Sequence, residues 1–478
     1  MRSLSGVVKA YDVRGVVPEE IDEDVARALG AAFAHVVGID DADAAPTLRR
    51  AVVAHDMRPS SPGLARAFAE GAAAQGADVV LAGLASTDGL YYASGALDAP
   101  GAMFTASHNP AQYNGIKLCR AGARPIGQDT GLAELRMLAE RYLADGVPTG
   151  ARAGTVAEAD LLGDYARHLR SLVDLSGSRP LRVVVDAGNG MAGLTVPAVL
   201  GEAAGLPALP LDVVPLYFEL DGTFPNHEAN PLDPANLVDL QAAVREHGAD
   251  IGLAFDGDAD RCFVIDEQGD PVSPSAITAL IARREVARAV AAGADAADVA
   301  VVYNVICSAQ VPEVIAAAGA RGVRTRVGHS FIKGEMARHD AVFGGEHSAH
   351  YYFRDFWFAD TGMLAAMHTL AALGEQDAPL SEVMADLARY VASGEINSTV
   401  TDAPAATELV RAWAQPQGVD TDELDGLTLV HAGGDGDPMW WLNLRASNTE
   451  PLLRLNVEAA DAETMARVRD EVLGIVRA

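Results

Sequence analysis

The stretch RRAVVAHDMRPSSPGLARAFAEGAAAQGADVVLA, residues 49–82, contains two different patterns of hydrophobic residues. Arg49 to His55 and Asp78 to Ala82 are short runs rich in valine and alanine, which predict strands. Between them, Ser61 to Gln75 has the spacing of an amphipathic helix that is capped at its start. A strand, a helix and a second strand in succession predict parallel pairing of the two strands, and therefore an α/β fold.

The same alternation of strand and helix patterns continues along most of the chain. Further strands are predicted at 181–185, 251–255, 262–265, 299–303 and 323–327. From about residue 391 the pattern changes, because Leu427–Val430 and Met439–Leu444 flank a turn rich in glycine and aspartate, as the strands of a hairpin would. We therefore predict three similar α/β domains with mixed sheets, at 1–152, 153–270 and 271–390, and a smaller α+β domain at 391–478.

The composition excludes several classes of protein. The chain has 478 residues, more than one hydrophobic core usually serves, and a formal net charge of -30, which argues against a nucleic-acid partner. No run of about 18 apolar residues and no signal-peptide pattern is present, so we expect no membrane partner and a cytoplasmic location. The cysteines, Cys119, Cys262 and Cys307, are too few and too scattered for a disulfide framework or a zinc site.

A serine in the segment TASHNP, residues 105–110, is the first candidate for chemistry. The apolar run before it ends at Phe104, and the Asn109-Pro110 step directs the backbone out of a helix, so the loop exposes Ser107. With His108 and Lys117 nearby in the sequence, a hydroxyl, an imidazole and an ammonium could converge. Such a set suits phosphoryl transfer, although a polar loop without chemistry is the alternative.

A glycine-rich turn follows the strand predicted at Leu181–Val185. Gly188, Gly190 and Gly193 have the spacing of a dinucleotide-binding turn, and Asp212 stands about 20 residues further on, as that fingerprint requires. The competing interpretation is tight packing between a strand and a helix, because similar strand and helix units lie on both sides of this turn.

Three aspartates alternate with small residues directly after the strand predicted at Ile251–Phe255. Asp256, Asp258 and Asp260 supply hard oxygen ligands, which suit Mg²⁺. An EF-hand is excluded because Arg261 stands where that loop requires glycine and the flanks are strands, not helices. A polar turn is the alternative, but three adjacent carboxylates repel one another without a cation. Arg261 could bind a phosphate beside the metal, or could simply neutralise the carboxylates.

Two further loops carry groups that suit sugar and phosphate recognition. After two glycines, Glu346 and Ser348 offer an acceptor and a donor for neighbouring sugar hydroxyls, whereas His347 and His350 alone are a weak zinc signal. His329, before a helix predicted at 330–338, could be an acid/base or only a residue at the start of a helix. The last loop has the composition of a phosphate cradle, with a simple turn as the alternative; its groups are Arg445, Ser447, Asn448, Thr449 and Arg454.

Taken together and in this order, the four loops resemble those of the α-D-phosphohexomutase family, and most closely its phosphomannomutase/phosphoglucomutase branch. The resemblance covers nearly the full length of the chain. It implies four domains around a central cleft, with one loop from each domain. It also places the glycine-rich turn at the start of the second domain, where members of the family bind no nucleotide.

The resemblance implies a role for each residue of these loops. Ser107 is expected to carry the phosphoryl group and to join Asp256, Asp258 and Asp260 as a ligand of Mg²⁺. Further catalytic residues are expected to be Arg14, His108, Lys117 and His329, with either Lys117 or His329 as the acid/base. Residues expected to bind the substrate are Tyr11, Arg261, Glu346, His347, Ser348, His350, Arg445, Ser447, Asn448, Thr449 and Arg454.

The implied reaction moves the phosphoryl group of Ser107 to a hexose monophosphate, through a hexose 1,6-bisphosphate that also serves as activator. The segment His347 to His350 is more similar to mannose and glucose mutases than to glucosamine mutases, which favours mannose 6-phosphate and mannose 1-phosphate. A phosphoglucomutase or dual-specificity mutase is the alternative, a Mg²⁺-dependent sugar phosphatase is a different class, and a non-catalytic sensor of sugar phosphates is a third. The protein is expected to be a monomer or homodimer.

Two segments depart from the family pattern. Ile306 stands where some relatives have a lysine that contacts the substrate, so one contact is expected to be missing or supplied elsewhere. The segment 358–361 is less acidic than in many members.

Overall fold

Strands and helices alternate along the chain in the computed structural model, which describes residues 2–41, 49–434, 437–446 and 452–478. Among these residues, no helix combines the length and the apolar composition needed to cross a membrane.

The described residues form the following regular elements. The helices are α1 (Glu23–Val36), α2 (Ser61–Ala74), α3 (Thr87–Ala96), α4 (Leu132–Asp145), α5 (Leu162–Leu172), α6 (Ala192–Val199), α7 (Val238–His247), α8 (Pro274–Ala291), α9 (Gln310–Ala317), α10 (His329–His339), α11 (Gly362–Gly374), α12 (Leu380–Ala385), α13 (Ala403–Ala414) and α14 (Ala462–Val476). The strands are β1 (Val13–Val16), β2 (Arg50–His55), β3 (Asp78–Leu84), β4 (Gly101–Phe104), β5 (Tyr113–Arg120), β6 (Arg124–Pro125), β7 (Val156–Glu158), β8 (Leu181–Asp186), β9 (Leu211–Leu216), β10 (Ile251–Phe255), β11 (Cys262–Ile265), β12 (Pro271–Val272), β13 (Ala300–Asn304), β14 (Arg321–Thr325), β15 (Phe343–Gly345), β16 (Tyr351–Phe353), β17 (Ala359–Asp360), β18 (Val391–Thr399), β19 (Asp420–Asp422), β20 (Leu427–His431), β21 (Trp440–Ala446) and β22 (Leu452–Ala459).

The chain divides into two compact units that do not follow the order of the sequence. The first unit runs to Val272 and adds Ser348–Ser381, and the second comprises Ser273–His347 and Glu382–Ala478. The third predicted domain, 271–390, therefore contributes segments to both units. The predicted domain boundaries stay a prediction.

The first sheet of the first unit has the strand order β1-β5-β4-β2-β3-β7, with β6 beside β5. Strand β2 pairs in parallel with β3 and β4, which confirms the pairing predicted from residues 49–82. Strands β5 and β1 are antiparallel, so the sheet is mixed. The predicted side-chain cap of α2 is wrong, because Ser60 makes no such bond and the Ser61 hydroxyl donates to Asp56 at 2.6 Å.

Helices α1 and α2 pack closely against each other in this unit. A Cβ added at Gly71 would lie 2.0 Å from the carbonyl oxygen of Arg27, and one added at Gly30 would lie 2.0 Å from that of Phe68. Glycine is therefore required at both positions, because any side chain would force the helices apart.

The second sheet of the first unit has the order β12-β11-β10-β8-β9. Strand β8 lies between β9 and β10, is parallel to both, and is buried except at Arg182, as its apolar sequence predicted. The glycine-rich turn after β8 fits the packing interpretation, because a Cβ at Gly190 would lie 2.7 Å from the Gly257 carbonyl oxygen. Arg182 Nε donates to Asp212 Oδ2 at 2.8 Å, so the Asp212 carboxylate is paired with a residue of the neighbouring strand.

The remaining strands complete the predicted fold class. In the second unit, β13 pairs in parallel with β14 and β15, and in the first unit β16 and β17 form an antiparallel pair. Strand β14 ends at Thr325, two residues before the predicted end, and Val327 instead donates its N–H to Asp425 at 2.9 Å. Three α/β regions with mixed sheets are therefore confirmed.

The C-terminal sheet has the order β18-β22-β21-β20-β19, and all of its pairs are antiparallel. One face of the sheet carries the core residues Trp440, Leu442, Leu444, Leu453, Leu455 and Val457. These pack with Val410 of α13 and with Val468 and Val472 of α14. The alternate positions of β21 and β22 place polar and charged side chains on the other face. The smaller C-terminal α+β domain and the β20–β21 hairpin are confirmed.

Candidate active site

The serine loop connects β4 to β5 and holds Ser107 in an unusual backbone conformation. Ser107 has φ of 51°, in the left-handed region that non-glycine residues rarely occupy, and its N–H donates to Thr105 Oγ1 at 2.9 Å. A residue stays in this region only where the surrounding contacts offset the strain, and such residues cluster at functional sites. Ser107 is 5% exposed, so the predicted exposure of the serine is wrong.

A buried arginine holds the serine loop from behind. Arg58 is 1% exposed and donates through both terminal nitrogens to four backbone carbonyl oxygens, three in the serine loop and one at the first residue of β5, at 2.7 to 3.0 Å. The carbonyls belong to Ser107, Asn109, Pro110 and Tyr113. Its Nε donates to Asp56 Oδ2 at 3.2 Å, so all of its nitrogens are used. Burial lowers the pKa of Arg58, and the Asp56 carboxylate opposes that shift.

The acidic loop between β10 and β11 lies directly against the serine loop. The Ser107 hydroxyl donates to Asp256 Oδ2 at 2.8 Å, and a Cβ at Gly257 would lie 2.4 Å from the Ser107 carbonyl oxygen. The absence of a side chain at Gly257 therefore allows the two loops to touch. Two segments about 150 residues apart in the sequence thus form one site within the first unit.

Two cationic side chains, Lys117 and Arg261, partly offset the charge of the three buried carboxylates. Lys117 Nζ donates to Asp258 Oδ2 at 2.7 Å and also to Asp260. Burial would lower the pKa of Lys117, but these two carboxylates outweigh burial and raise it well above its usual value. Burial would likewise raise the pKa of Asp258, and the Lys117 charge instead lowers it.

Arg261 is the second cation of this site. Its Nε donates to Asp256 Oδ2 at 2.9 Å, and its Nη2 lies 2.8 Å from the same oxygen. Burial nevertheless raises the pKa of Asp256 to about 7. The site therefore has three carboxylates against two cationic side chains.

The three aspartates fit a divalent metal ion. One carboxylate oxygen from each of Asp256, Asp258 and Asp260 can be chosen so that all lie within 4.8 Å of one another. Asp258 Oδ1 and Asp260 Oδ1 are buried and accept no hydrogen bond from any residue that the structure describes. Unpaired buried carboxylate oxygens are costly, and a hard cation such as Mg²⁺ would satisfy them.

His108 is held by Arg261 next to the serine hydroxyl. Its Nδ1 lies 2.5 Å from Arg261 Nη2 and 3.2 Å from Ser107 Oγ. Burial and the Arg261 charge lower the pKa of His108 to about 2, so the imidazole is neutral at ordinary pH. Because Arg261 can only donate, Nδ1 accepts and the imidazole proton lies on Nε2.

Arg14 and His350 lie beside these loops in the same unit. Arg14 donates to Asn109 Oδ1 at 2.5 Å and to Asp12 at 2.6 Å, which fixes it to the serine loop. His350 Nε2 lies 3.7 Å from Asp260 Oδ1, and its Nδ1 lies 3.1 Å from Ser348 Oγ. Tyr11 is half-buried.

The second unit brings the other predicted binding residues together. Glu346 is 3% exposed and accepts from Asn304 Nδ2 at 3.2 Å, and His347 Nδ1 lies 2.9 Å from Ser275 Oγ. Burial lowers the pKa of His347, with Glu395 opposing the shift. Arg445 and Arg454 lie on the polar face of the C-terminal sheet and both donate to Glu395.

The remaining predictions have mixed outcomes. His329 is half-buried at the first residue of α10, one residue before the predicted start. Ser447, Asn448 and Thr449 lie outside the described residues. Among the described residues, two clusters could hold a metal: the aspartate triad, and a group of Asp260, His350 and Asp360. His347 belongs to neither cluster. The zinc alternative for the histidine pair is therefore not supported.

Comparison with known proteins identifies the family. The description "Phosphoglucomutase/phosphomannomutase, alpha/beta/alpha domain I" matches residues 6–142, domain II matches 163–269, domain III matches 273–390, and the C-terminal domain matches 395–475. The chain belongs to the phosphoglucomutase/phosphomannomutase family. The resemblance inferred from the four loops is confirmed.

Relatives from this family align over nearly the whole chain. The "Phosphohexose mutases" protein of Xanthomonas campestris pv. campestris is 40% identical over 450 residues, covering 94% of this chain and 93% of the relative. A phosphomannomutase of Escherichia coli is 37% identical over 473 residues, covering 98% of both chains. The crystal structure of a phosphoglucomutase/phosphomannomutase family protein from Burkholderia thailandensis has a TM-score of 0.83 at 31% identity, covering 99% of this chain and 98% of that one.

Three residues of this family member escaped the sequence analysis. Arg58 holds the serine loop, Thr87 Oγ1 donates to Asp258 Oδ2 at 2.6 Å, and Glu395 binds both arginines of the C-terminal sheet. The only signal for Arg58 was its place three residues after the end of strand β2, in the segment His55-Asp56-Met57-Arg58. Thr87 and Glu395 act across long sequence distances, which no local pattern reveals.

Ile306 is the departure from the family pattern that the structure clarifies. Its side chain is 7% exposed and, with His347 and Trp441, lines a cavity of about 150 Å³ in the second unit. Position 306 therefore offers an apolar surface and no charge at this cavity.

Proposed function

We propose that the protein is a phosphomannomutase that interconverts mannose 6-phosphate and mannose 1-phosphate, with glucose phosphates as alternative substrates. The observation that carries this proposal is the 2.8 Å hydrogen bond from the Ser107 hydroxyl to Asp256, within a triad of buried carboxylates. The names of the relatives, phosphomannomutase and phosphohexose mutases, support the same substrate class.

In the proposed reaction, phosphorylated Ser107 donates its phosphoryl group to a hydroxyl of the hexose monophosphate. The resulting hexose 1,6-bisphosphate turns over, and its other phosphoryl group returns to Ser107, so the number of phosphoryl groups is conserved. Asp256, Asp258 and Asp260, with an oxygen of phosphorylated Ser107, would hold Mg²⁺, which offsets negative charge on the transferring group.

The other residues of the site bind and orient the reactants. Arg261, fixed by Asp256, is proposed to hold phosphoryl oxygens, and Arg14 and His108 to orient the serine loop and its phosphate. Lys117 or His329 is proposed to move the proton of the attacking hydroxyl. Tyr11 and His350 are proposed to contact the substrate.

Sugar and phosphate recognition is proposed for the remaining loops. Glu346, His347 and Ser348 would contact sugar hydroxyls, and Arg445, Ser447, Asn448, Thr449 and Arg454 would hold the phosphate that is not transferred. That all of these loops face one central cleft remains a prediction. The monomeric or dimeric state and the cytoplasmic location also remain predictions.

The test is turnover of mannose 1-phosphate by the purified chain with Mg²⁺ and a trace of hexose 1,6-bisphosphate as the proposed activator. Formation of mannose 6-phosphate is expected, with glucose and glucosamine 1-phosphates compared under the same conditions. Ser107→Ala is expected to fold but to lose turnover by at least about a thousandfold, because it removes the proposed nucleophile. Turnover retained by this variant would place the nucleophile elsewhere.

A Mg²⁺-dependent phosphatase is the competing class, because it would use the same serine and aspartates but admit water. Free phosphate released in step with loss of the sugar phosphate would favour that class. Conservation of total sugar phosphate, followed by ³¹P NMR, would favour the mutase.

A further inference from the structure

The first residue of α3 binds the middle aspartate of the acidic loop through two hydrogen bonds. Thr87 Oγ1 donates to Asp258 Oδ2 at 2.6 Å, and the Thr87 backbone N–H donates to the Asp258 carbonyl oxygen at 3.0 Å. Both residues are fully buried, so neither contact is open to solvent. One residue therefore holds the side chain and the main chain of Asp258, from 171 positions away in the sequence.

The first turn of α3 is itself fixed by a buried carboxylate. Asp88, the residue after Thr87, accepts from the Tyr165 hydroxyl of α5 at 2.7 Å and from Thr361 Oγ1, at the start of α11, at 2.6 Å. The hydroxyl of Ser86, the residue before α3, also donates to Asp88. Three helices of the first unit thus meet at the residue next to Thr87, which fixes the position of the Thr87 hydroxyl.

The two oxygens of the Asp258 carboxylate have different surroundings. Oδ2 accepts from Thr87 Oγ1 and from Lys117 Nζ at 2.7 Å, whereas Oδ1 accepts no hydrogen bond from any residue in the described part of the chain. A carboxylate oxygen offers about two lone-pair sites, so these donors occupy Oδ2 and leave Oδ1 as the oxygen that can bind a metal ion. Removing the Thr87 hydroxyl would free one site of Oδ2, while Lys117 would keep the other.

A carboxylate that is restricted to one oxygen suits a small divalent cation. Mg²⁺ demands nearly ideal octahedral geometry, at about 2.0 to 2.1 Å from each ligand. Ca²⁺ takes about 6 to 8 oxygen ligands at about 2.3 to 2.6 Å, and it readily accepts both oxygens of one carboxylate. The hydrogen bonds to Oδ2 therefore disfavour the larger ion at Asp258.

We propose that Thr87 is a positioning residue that fixes Asp258 for metal binding through Oδ1 alone, and thereby increases the preference of the aspartate triad for Mg²⁺ over Ca²⁺. The inference rests on the proposed function, because that function assigns a divalent ion to Asp256, Asp258 and Asp260. Removal of a group that hydrogen-bonds to a metal ligand commonly weakens metal binding by about 10- to 100-fold, because the ligand loses its orientation.

The test is calorimetric titration of Mg²⁺ and of Ca²⁺ into the purified full-length chain and into Thr87→Val. Valine has nearly the shape of threonine but no hydroxyl, so Asp258 is held less firmly and one site of Oδ2 becomes available. The Kd for Mg²⁺ is expected to rise by about tenfold. The Kd for Ca²⁺ is expected to change by less, so the preference for Mg²⁺ decreases.

Two further variants separate the hydroxyl from packing. Thr87→Ser keeps the donor and loses only a methyl group, and it is expected to retain the wild-type preference for Mg²⁺. Thr369→Val removes a buried hydroxyl of α11 that donates to the Ala365 carbonyl oxygen at 2.9 Å, and it is expected to change neither Kd.

Thermal unfolding gives a second measurement of the same affinity. A ligand that binds only the folded state raises the unfolding midpoint once its concentration exceeds its Kd. At constant ionic strength, the midpoint of Thr87→Val is therefore expected to rise over a higher range of Mg²⁺ concentration than that of the wild type. If Thr87→Val does not fold, Thr87→Ala is the second variant that lacks the hydroxyl.

An unchanged preference for Mg²⁺ in a folded variant without the hydroxyl would overturn the inference. An equal loss of preference in Thr87→Ser would also overturn it, because the effect would then belong to the methyl group. Failure of the proposed function has a different signature, in which the wild-type chain binds Mg²⁺ but does not convert mannose 1-phosphate. The comparison of Kd values still decides the role of Thr87 in that case, whereas a wild-type chain that binds no Mg²⁺ would overturn the inference together with the metal site.

Discussion

At the scale of single residues, the site depends on buried groups that hold the loops in place. Ser107 occupies a left-handed conformation, and Arg58 is the residue that binds the carbonyl groups around it. A buried cation bound to carbonyl groups is difficult to replace, because every donor that loses its acceptor remains desolvated.

Arg58→Lys is expected to lower both stability and turnover, because an ammonium has three donors where the guanidinium has five. We expect a loss of about 2 to 3 kcal/mol in the free energy of unfolding, measured with urea, from the unpaired carbonyl groups. We expect kcat to fall by about tenfold or more with little change in KM, because the position of Ser107 shifts while the sugar contacts persist.

The control for Arg58→Lys is Arg66→Lys, since Arg66 lies on the next helix with 62% of its side chain exposed. That variant should match the wild type in stability and rate. Equal kcat values for Arg58→Lys and the wild type would show that the hydrogen bonds of Arg58 do not position Ser107.

Mg²⁺ is expected to stabilise the folded protein through the aspartate triad. A ligand that binds only the folded state adds about 2.7 kcal/mol at 100 times its Kd, so the midpoint of thermal unfolding should rise with Mg²⁺ at constant ionic strength. Asp258→Asn should abolish this rise, and Asp212→Asn, on the exposed pair with Arg182, should preserve it. An unchanged midpoint in the wild type would contradict the metal site.

At the scale of secondary structure elements, close approaches of backbone decide how the α/β layers pack. Helices α1 and α2 touch at Gly30 and Gly71, where no space exists for a methyl group. The glycine turn after β8 packs against the acidic loop for the same reason. These close contacts fix α1 against α2, and the turn after β8 against the acidic loop.

Gly71→Ala is expected to destabilise the protein by about 2 kcal/mol or more, because its Cβ would lie 2.0 Å from the Arg27 carbonyl oxygen and the helices would have to separate. Gly163→Ala is the control, since no atom lies within 4 Å of the added Cβ on α5. In an open helical position alanine is favoured over glycine by up to about 1 kcal/mol. Equal urea midpoints for Gly71→Ala and the wild type would contradict the close packing.

The end of β8 carries an ion pair that makes stability depend on pH. His227 Nε2 lies 3.0 Å from Asp186 Oδ2, and although burial lowers the pKa of His227, the Asp186 contact raises it overall. The folded-state pKa therefore exceeds the value of about 6.5 for an unfolded histidine. The pair contributes its full stability below that value, and the contribution is lost as pH rises through the folded pKa.

His227→Gln is expected to remove this part of the pH dependence, because the amide can donate to Asp186 but cannot titrate. Urea unfolding of the wild type and the variant from about pH 6 to pH 8 measures the difference, which should be largest at the acidic end. His247→Gln, an exposed residue in the last turn of α7, should retain the wild-type slope. A difference that grows toward alkaline pH would contradict the assignment.

At the scale of the whole molecule, residues that are close in the sequence can belong to different compact units. His347 lies in the second unit and His350 in the first, because the segment 348–381 packs with the acidic loop. A Cβ at Gly362 would lie 2.7 Å from the Arg261 backbone, and the Thr361 hydroxyl donates to Asp88 at 2.6 Å. Pairing the two histidines from their spacing alone therefore gave a zinc alternative that the fold does not support.

The sequence by itself determined the class of fold and the chemical groups of the site. Short apolar runs located strands such as Ile251–Phe255 and Cys262–Ile265 to the residue, because a strand that is buried at every position is apolar along its whole length. The motifs of Ser107 and the aspartate triad were also local, because one loop holds all the groups of each. Helix and strand ends were less exact, as at β14, where Val327 donates its N–H to Asp425, between β19 and β20, and does not continue the strand.

Only the tertiary structure decided which loops meet and what holds them. Three contacts join residues that lie about 50 to 150 positions apart. They are the hydrogen bond from Ser107 to Asp256, the bond from Arg58 to the Ser107 carbonyl oxygen, and the ion pair of Glu395 with Arg445. The physical reason is that burial removes water as a partner, so each buried charge must find its counter-charge wherever the fold brings one close. The spacing of residues along the chain therefore does not reveal which partner that is.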